Sequence, residues 1–303
     1  MASDHAHTTH RDTGGARLLA ALFLNAGITV VQVAGGLLSG SLSLLADAVH
    51  NASDAAAIGI SYYAFRIAGR KADRVRTFGY RRAETIGALI NLVALIVISL
   101  FLIAQAVERF AAPEPIDGTM MLAVGGIAFI EDLISAVLLY RDAGHSLNMR
   151  SAFLHMLGDT LATVGVMLGS VAILATEAYW VDPLLTVLIS LYLIKHSYRA
   201  LRKAIGVVME SAPADIDYDA VVATMRGIDG VEDVHHVHLW QLDEQRTALE
   251  AHIVVASAAM PRFDQLKERI KRAVRDVHAI QHTTLEMELS PCRHPENGVV
   301  PLE

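Results

Sequence analysis

The chain has 303 residues, of which 53% are hydrophobic and only 19% charged, with a formal net charge of −7 and a mean hydropathy of +0.40. That balance is too apolar for an ordinary soluble globule, and the single cysteine, Cys292, excludes both an intrachain disulfide framework and a Cys-rich zinc site. The basic residues gather in a few loops of an acidic chain, so no nucleic-acid partner is expected.

Residues 1–16 begin "MASDHAHTTHRDTGG", a polar stretch without the apolar core of a cleaved signal peptide. It reads as a flexible cytoplasmic segment, and His5, His7 and His10 read as parts of that tail rather than as a site. A bilayer-spanning helix needs about 20 apolar residues. Leu18 to Leu38 and Thr85 to Val107 are uncharged runs of that kind. Leu42 to Phe65 is interrupted by Asp47, His50 and Asp54, Met120 to Tyr140 by Glu131 and Asp132, Ser151 to Thr176 by His155 and Asp159, and Ala178 to Ile194 by Asp182. The pattern predicts six transmembrane helices within residues 17–206, the first two joined by the tight "SGS" turn.

Lys and Arg concentrate on the cytoplasmic side of a membrane protein. Here they cluster from Arg66 to Arg82, at Arg141 and Arg150, and from Lys195 to Lys203, while the alternate connections hold only Arg109. All three clusters fall on one side. The chain is expected to be a multi-pass protein of the cytoplasmic (inner) cell membrane, with both termini in the cytoplasm.

Near residue 207 the composition changes, and charged residues become frequent. "DIDYDAVVATMRGIDG" reads as an amphipathic helix, "VEDVHHVHLWQL" and "RTALEAHIVVA" as strands, "RFDQLKERIKRAVRDVH" as a second helix and "HTTLEMEL" as a third strand. Residues 207–292 are therefore expected to form a small α+β domain of ferredoxin-like type lacking one strand, with helices covering one face of the sheet. Residues 293–303 read as a loose tail.

The chemistry lies in "HNASD" at 50–54 and "HMLGD" at 155–159. An ionisable side chain near the bilayer centre costs at least about 2.5–3.5 kcal/mol. Residues four apart share one helix face, so each sequence makes one polar spot. Two such helices facing each other would assemble two imidazoles and two carboxylates, a tetrahedral nitrogen and oxygen set that suits Zn²⁺. The two carboxylate charges cancel that of the ion. Without the ion, the same groups attract protons, so metal and protons compete and antiport becomes the expectation. An intramembrane metallohydrolase is disfavoured, because no H-E-x-x-H occurs and four protein ligands leave no open position for water.

At these residues the chain resembles the cation diffusion facilitator family of zinc transporters. "SGSLSLLADAVHNASD", "FGYRRAETIGALIN", "NMRSAFLHMLGD", "VDPLL" and "VHHVHLWQL" are similar to family signatures, in the family's order, across residues 17 to 292. The resemblance implies a homodimer of six-helix protomers, each with a cytoplasmic metallochaperone-like domain, that exports divalent metal in exchange for protons and is not an enzyme. It implies His50, Asp54, His155 and Asp159 as the transport site, with zinc preferred. Asp47, three residues before His50 on the same helix face, is a proton relay, an entry ligand or a structural hydrogen-bonder, with a supporting role favoured. The resemblance also implies a cytoplasmic ion, structural or regulatory, with His235, His252, His282 and Glu288 chosen by position. His238 is either a ligand or a packed histidine, and His236 is expected on the opposite strand face, solvated or at the dimer contact. Some members hold metal in the loop after the second helix through an Asp and two His. Here Asp73 matches the aspartate but Arg76 and Tyr80 fill the histidine positions, so no metal is expected there. Arg82 is expected to pair with Glu210 as a domain lock. Glu131 and Asp132 have no assigned role; one of them is expected to face a partner helix or a water-filled path. The rival readings are another main substrate (Co²⁺, Cd²⁺, Fe²⁺ or Mn²⁺) and a membrane-anchored metal sensor.

Overall fold

The computed structural model describes residues 25–68, 72–140, 147–243, 246–256 and 262–290; within its helices the side chains at 61, 64–65, 68, 138–139, 147–152 and 155 lie outside the description. The chain divides into two compact units, Met1–Tyr63 with Gly87–Leu201, and Ala64–Ile86 with Arg202–Glu303.

The first unit is built from α1 (Asn25–Ser39), α2 (Leu42–Ala68), α3 (Arg82–Ala111), α4 (Gly118–Tyr140), α5 (Leu147–Thr176) and α6 (Val181–Val208). The ends of α2, α3 and α6 run on into the second unit. Among the described residues, Arg82–Ala111, Gly118–Val137 and Met156–Thr176 are long and apolar enough to cross a membrane. α2 and α6, at 27 and 28 residues, have the length to cross at 1.5 Å per residue but are interrupted by buried acids.

The exposure pattern is inverted relative to a water-soluble bundle. Ile90, Val97 and Phe101 on α3, Ile130 and Val137 on α4, and Leu161 and Leu168 on α5 are all exposed. Gln32, Asp47, His50, Asn51, Asp132, Asp159, Thr163 and Asp182 are buried. Lipid accepts such an apolar exterior, and polar groups then turn inward to find partners. Around Leu44, Met121, Val166 and Leu193 the unit also has an apolar core. Small residues allow close helix contact: a Cβ on Gly169 would lie 2.4 Å from the Leu185 side chain of α6.

The second unit adds α7 (Tyr218–Arg226), β1 (Val231–Asp243), β2 (Arg246–Val255), α8 (Phe263–His278) and β3 (His282–Glu288), the order expected from the hydropathy pattern. Asp217 caps α7 by accepting from the backbone N–H groups of Asp219 and Ala220. β2 is central, antiparallel to β1 and parallel to β3, and α8 is the crossover that a parallel pair requires. Val221 and Met225 of α7 and Leu266, Ile270 and Val274 of α8 share one core with Val237, Leu249 and Ile253 of the sheet. The sheet thereby holds its histidine-bearing strands in fixed register.

Candidate functional site

His50 and Asp54 lie one turn apart on α2, and Asp159 reaches them from α5. His50 Nε2 is 2.7 Å from Asp159 Oδ1 and 3.9 Å from Asp54 Oδ2. His50 and Asp159 are buried, and Asp54 is half-buried. One ligand atom from each of the three falls within 4.8 Å of the others, a grouping able to hold a metal ion. Ligand atoms about 2.0–2.1 Å from a tetrahedral Zn²⁺ stand about 3.3 Å apart, and the two measured separations bracket that value. His155 lies one turn before Asp159 on α5, and its side chain is outside the described residues.

Asp47 is 2% exposed. Its Oδ2 accepts from Gln32 Nε2 at 2.6 Å, and Gln32 Oε1 accepts from Asn51 Nδ2 at 2.8 Å. This chain of amides fixes α1 against the face of α2 that carries His50. Asp132, on α4, has Thr163 Oγ1 of α5 at 2.7 Å. Gln32, Asn51 and Thr163 were not singled out by sequence reasoning. The available signal was an amide in the middle of an uncharged first helix and a hydroxyl one turn beyond Asp159.

Asp182 makes a third buried cluster. Its Oδ1 accepts from the Ser41 and Ser43 hydroxyls, both at 2.6 Å, and from Ser43 N at 3.1 Å, while Oδ2 accepts from Leu42 N at 2.8 Å. A carboxylate from α6 thus caps the amino end of α2, where unpaired N–H groups favour negative charge. The Arg109 guanidinium stands 4.0 Å away, donates to the Gly40 carbonyl and pairs with Glu114 at 3.1 Å. Gly40 itself turns through φ +72°, a conformation glycine adopts without strain.

In the second unit, His235, His252 and Glu288 form the other grouping able to hold a metal. His252 Nδ1 is 2.7 Å from Glu288 Oε1, and His235 Nε2 is 3.4 Å from Glu288 Oε2. The donor set of two imidazoles and one carboxylate fits a borderline divalent ion with one further ligand. His282 is not part of it. It pairs with Ala248 while His252 pairs with Glu286, and at about 3.3 Å per residue it stands about 20 Å along β3 from Glu288. Its ring instead meets Phe78 edge-on at 5.7 Å.

His236 also departs from the alternation. β1 bulges between His235 and His238, and His236 takes φ +49°. The bulge re-aims its side chain, so the ring stacks on His252 at 4.6 Å and meets His238 edge-on at 5.0 Å. Desolvation, with His252 and His238 nearby, pushes its imidazole below the usual histidine range.

The loop between α2 and α3 is held by Asp73. Its carboxylate accepts from the Tyr80 hydroxyl at 2.5 Å and from the N–H groups of Val75 and Arg76 at 2.8 and 2.7 Å. These bonds, Tyr80 first, keep the Asp73 carboxyl below its ordinary range. Arg76 stacks over the Tyr80 ring at 4.8 Å. Arg82 pairs with Glu210 at 3.0 Å, but the two side chains are 37% and 60% exposed, so the pair contributes under about 1 kcal/mol.

Residues 18–209 match the family model of the cation efflux transmembrane domain, and residues 213–290 match that of the cation efflux protein cytoplasmic domain. The zinc transporter ZitB of Shigella flexneri is 36% identical over 301 residues, covering 98% of this chain and 95% of its own. The cadmium, cobalt and zinc/H(+)-K(+) antiporter of Bacillus subtilis is 32% identical over 286 residues, 93% of this chain and 91% of its own. The metal cation efflux system protein CzcD of Cupriavidus metallidurans is 33% identical over 296 residues, 98% and 93%.

Proposed function

This chain belongs to the cation efflux family, and on that premise we propose that it exports Zn²⁺ from the cytoplasm across the inner membrane in exchange for protons. It is a transporter and not an enzyme. The observation that carries the reading is the meeting of His50, Asp54 and Asp159 inside a helical unit whose exterior is apolar.

In this reading His50, Asp54 and Asp159, with His155 as the fourth ligand, hold the travelling ion. Two imidazoles and two carboxylates leave the loaded site neutral and suit a borderline ion. The hydrogen bond between His50 Nε2 and Asp159 Oδ1 requires one proton between those atoms. Zn²⁺ needs both as bare donors, so each ion that binds displaces protons. Exposure of the site to one side and then the other converts that competition into antiport. Asp47, held by Gln32, steadies the His50 face of α2.

The protein acts as a homodimer with both termini in the cytoplasm. Residues 17–206 form the transport domain and 207–292 the cytoplasmic domain. An ion at His235, His252 and Glu288 ties β1, β2 and β3 together and signals cytoplasmic zinc, while Arg82 and Glu210, an exposed pair within the second unit, add little to a domain lock. The names of the relatives support zinc first, with cadmium and cobalt as further substrates.

The test is ⁶⁵Zn²⁺ uptake into inside-out vesicles with and without an imposed pH gradient. Uptake that follows the gradient in the native chain and vanishes in Asp159→Ala is the expected result. Uptake indifferent to the gradient would remove the antiport claim. Retained uptake in Asp159→Ala would remove the site.

A further inference from the structure

Asp132 lies outside the four-residue transport set, yet it is only 4% exposed on α4. Its Oδ2 is 2.7 Å from Thr163 Oγ1. The same hydroxyl is 3.1 Å from the backbone carbonyl oxygen of Asp159. A threonine hydroxyl carries one hydrogen, and a carbonyl carries none. When Thr163 donates to the Asp159 carbonyl, the back-bond common for threonine within a helix, the contact to Asp132 is satisfied only if Asp132 is the donor. Its carboxyl then holds a proton. When Thr163 turns and donates to Asp132, an ionised carboxylate is satisfied instead. One rotating hydroxyl therefore serves both protonation states of Asp132.

The surroundings couple those states to the transported ion. The charged groups that Asp132 meets electrostatically are all acids: Asp47 from α2, Asp159 from α5 and Glu131 on its own helix, whose side chain also shares a hydrogen bond with that of Asp132. Asp159 in turn contacts His50 of α2. A further negative charge among these acids is costly in a low-dielectric interior. A divalent cation held by Asp54 and Asp159 offsets that cost. Asp47 and Asp132 are buried carboxyls outside the ligand set, which the ion's two charges do not balance.

We propose that Asp132 carries one of the exchanged protons: its carboxyl releases a proton to water when the divalent cation binds at Asp159, and recovers one when the cation leaves. Thr163 is the positioning residue, turning its hydroxyl from the Asp159 carbonyl to the new carboxylate and back. This rests on the reading of His50, Asp54, His155 and Asp159 as the transport site. It raises the proton count per ion above the number released by those ligands themselves.

The experiment is proton counting by calorimetry. Zn²⁺ is titrated into the purified full-length protein in buffers of different ionisation enthalpy, across pH 6 to 8, in a Glu288→Ala background that weakens the cytoplasmic cluster. Asp132→Asn is expected to bind Zn²⁺ and release about one proton fewer per ion. Thr163→Val is expected to move the pH at which that proton is released. An unchanged proton count in Asp132→Asn, with binding intact, overturns the proposal and leaves the transport site standing. Should Asp132→Asn fail to fold, an unshifted release profile in Thr163→Val overturns it. Absence of Zn²⁺ binding in the Glu288→Ala parent, together with native-like folding, overturns the transport site and this inference with it.

Discussion

His50 and Asp159 stand 109 positions apart in the chain, and the Nε2 of one lies 2.7 Å from the Oδ1 of the other. A buried carboxylate in a helical membrane unit is retained against a cost of a few kcal/mol, so it is expected to act on something. Asp159→Asn keeps the shape and removes the charge and one anionic ligand oxygen. Transport should fall by more than about 100-fold, beyond the 10- to 100-fold typical of losing a residue that merely supports a ligand. Vesicle flux measured beside a thermal melt checks this, since a fall in flux with an unchanged melting temperature is the expected pair.

Asp182 should govern stability rather than flux. Its carboxylate takes four hydrogen bonds from the α1–α2 turn and the start of α2, and it is fully buried. Asp182→Ala strands those donors and removes one of the acidic neighbours of Arg109, which keeps Glu114. Hydrogen bonds to a charged group contribute roughly 1.5–3 kcal/mol each and are not additive. A loss of roughly 3 kcal/mol or more is expected, with Asp182→Asn milder because one oxygen still accepts. Thermal unfolding of the detergent-solubilised protein is the measurement.

The cytoplasmic cluster separates strand position from strand register. Glu288→Ala removes the oxygen pair that faces both His235 and His252, and zinc affinity at this cluster should drop at least about tenfold. His282→Ala should leave it unchanged, because that ring sits against Phe78. Calorimetry on the full chain carrying Asp159→Asn isolates this site from the membrane one.

These cases show where the sequence is legible. The four-residue spacing of His50 and Asp54 gives their shared helix face directly, and alternation gives β1 and β2. Matching His-x-x-x-Asp spots on two helices point to a meeting that only tertiary packing can bring about. What alternation hides is the bulge: one extra residue turns His236 from the far face to the face of His252, and nothing in "VHHVHLW" marks it. His282 shares the face of Glu288 but lies too far along the strand, a distance that depends on register rather than composition. Asp182 reads as an acid near a helix start. That its carboxylate caps α2 depends on a contact about 140 positions away.

Gln32 offers a test of the buried amide chain. Gln32→Leu is close to isosteric, but it leaves Asp47 and Asn51 without the partners now at 2.6 and 2.8 Å. Each stranded polar group costs about 1–3 kcal/mol. Because Asp47 sits one turn before His50 on α2, the variant should lose stability and lower zinc affinity together. Gln32→Glu, which keeps an acceptor for Asn51 but sets a second acid against Asp47, should be worse for affinity. Parallel melts and zinc titrations of the two variants check the order.

His236 sets a pH dependence in the second unit. Desolvation and the neighbouring imidazoles hold its pKa below the usual histidine range. Above about pH 6.5 both folded and unfolded chains hold it neutral, so it adds no pH dependence. Below that, the unfolded chain binds a proton that the folded domain resists, and stability falls with pH until the folded value is passed. The prediction is a domain that melts earlier at pH 5.5 than at pH 7.5, with part of the difference removed by His236→Gln. Trp240 on β1, read by fluorescence in a full chain carrying Trp180→Phe, reports the transition. An acid sensitivity identical in His236→Gln would mean that the titration lies elsewhere in the domain.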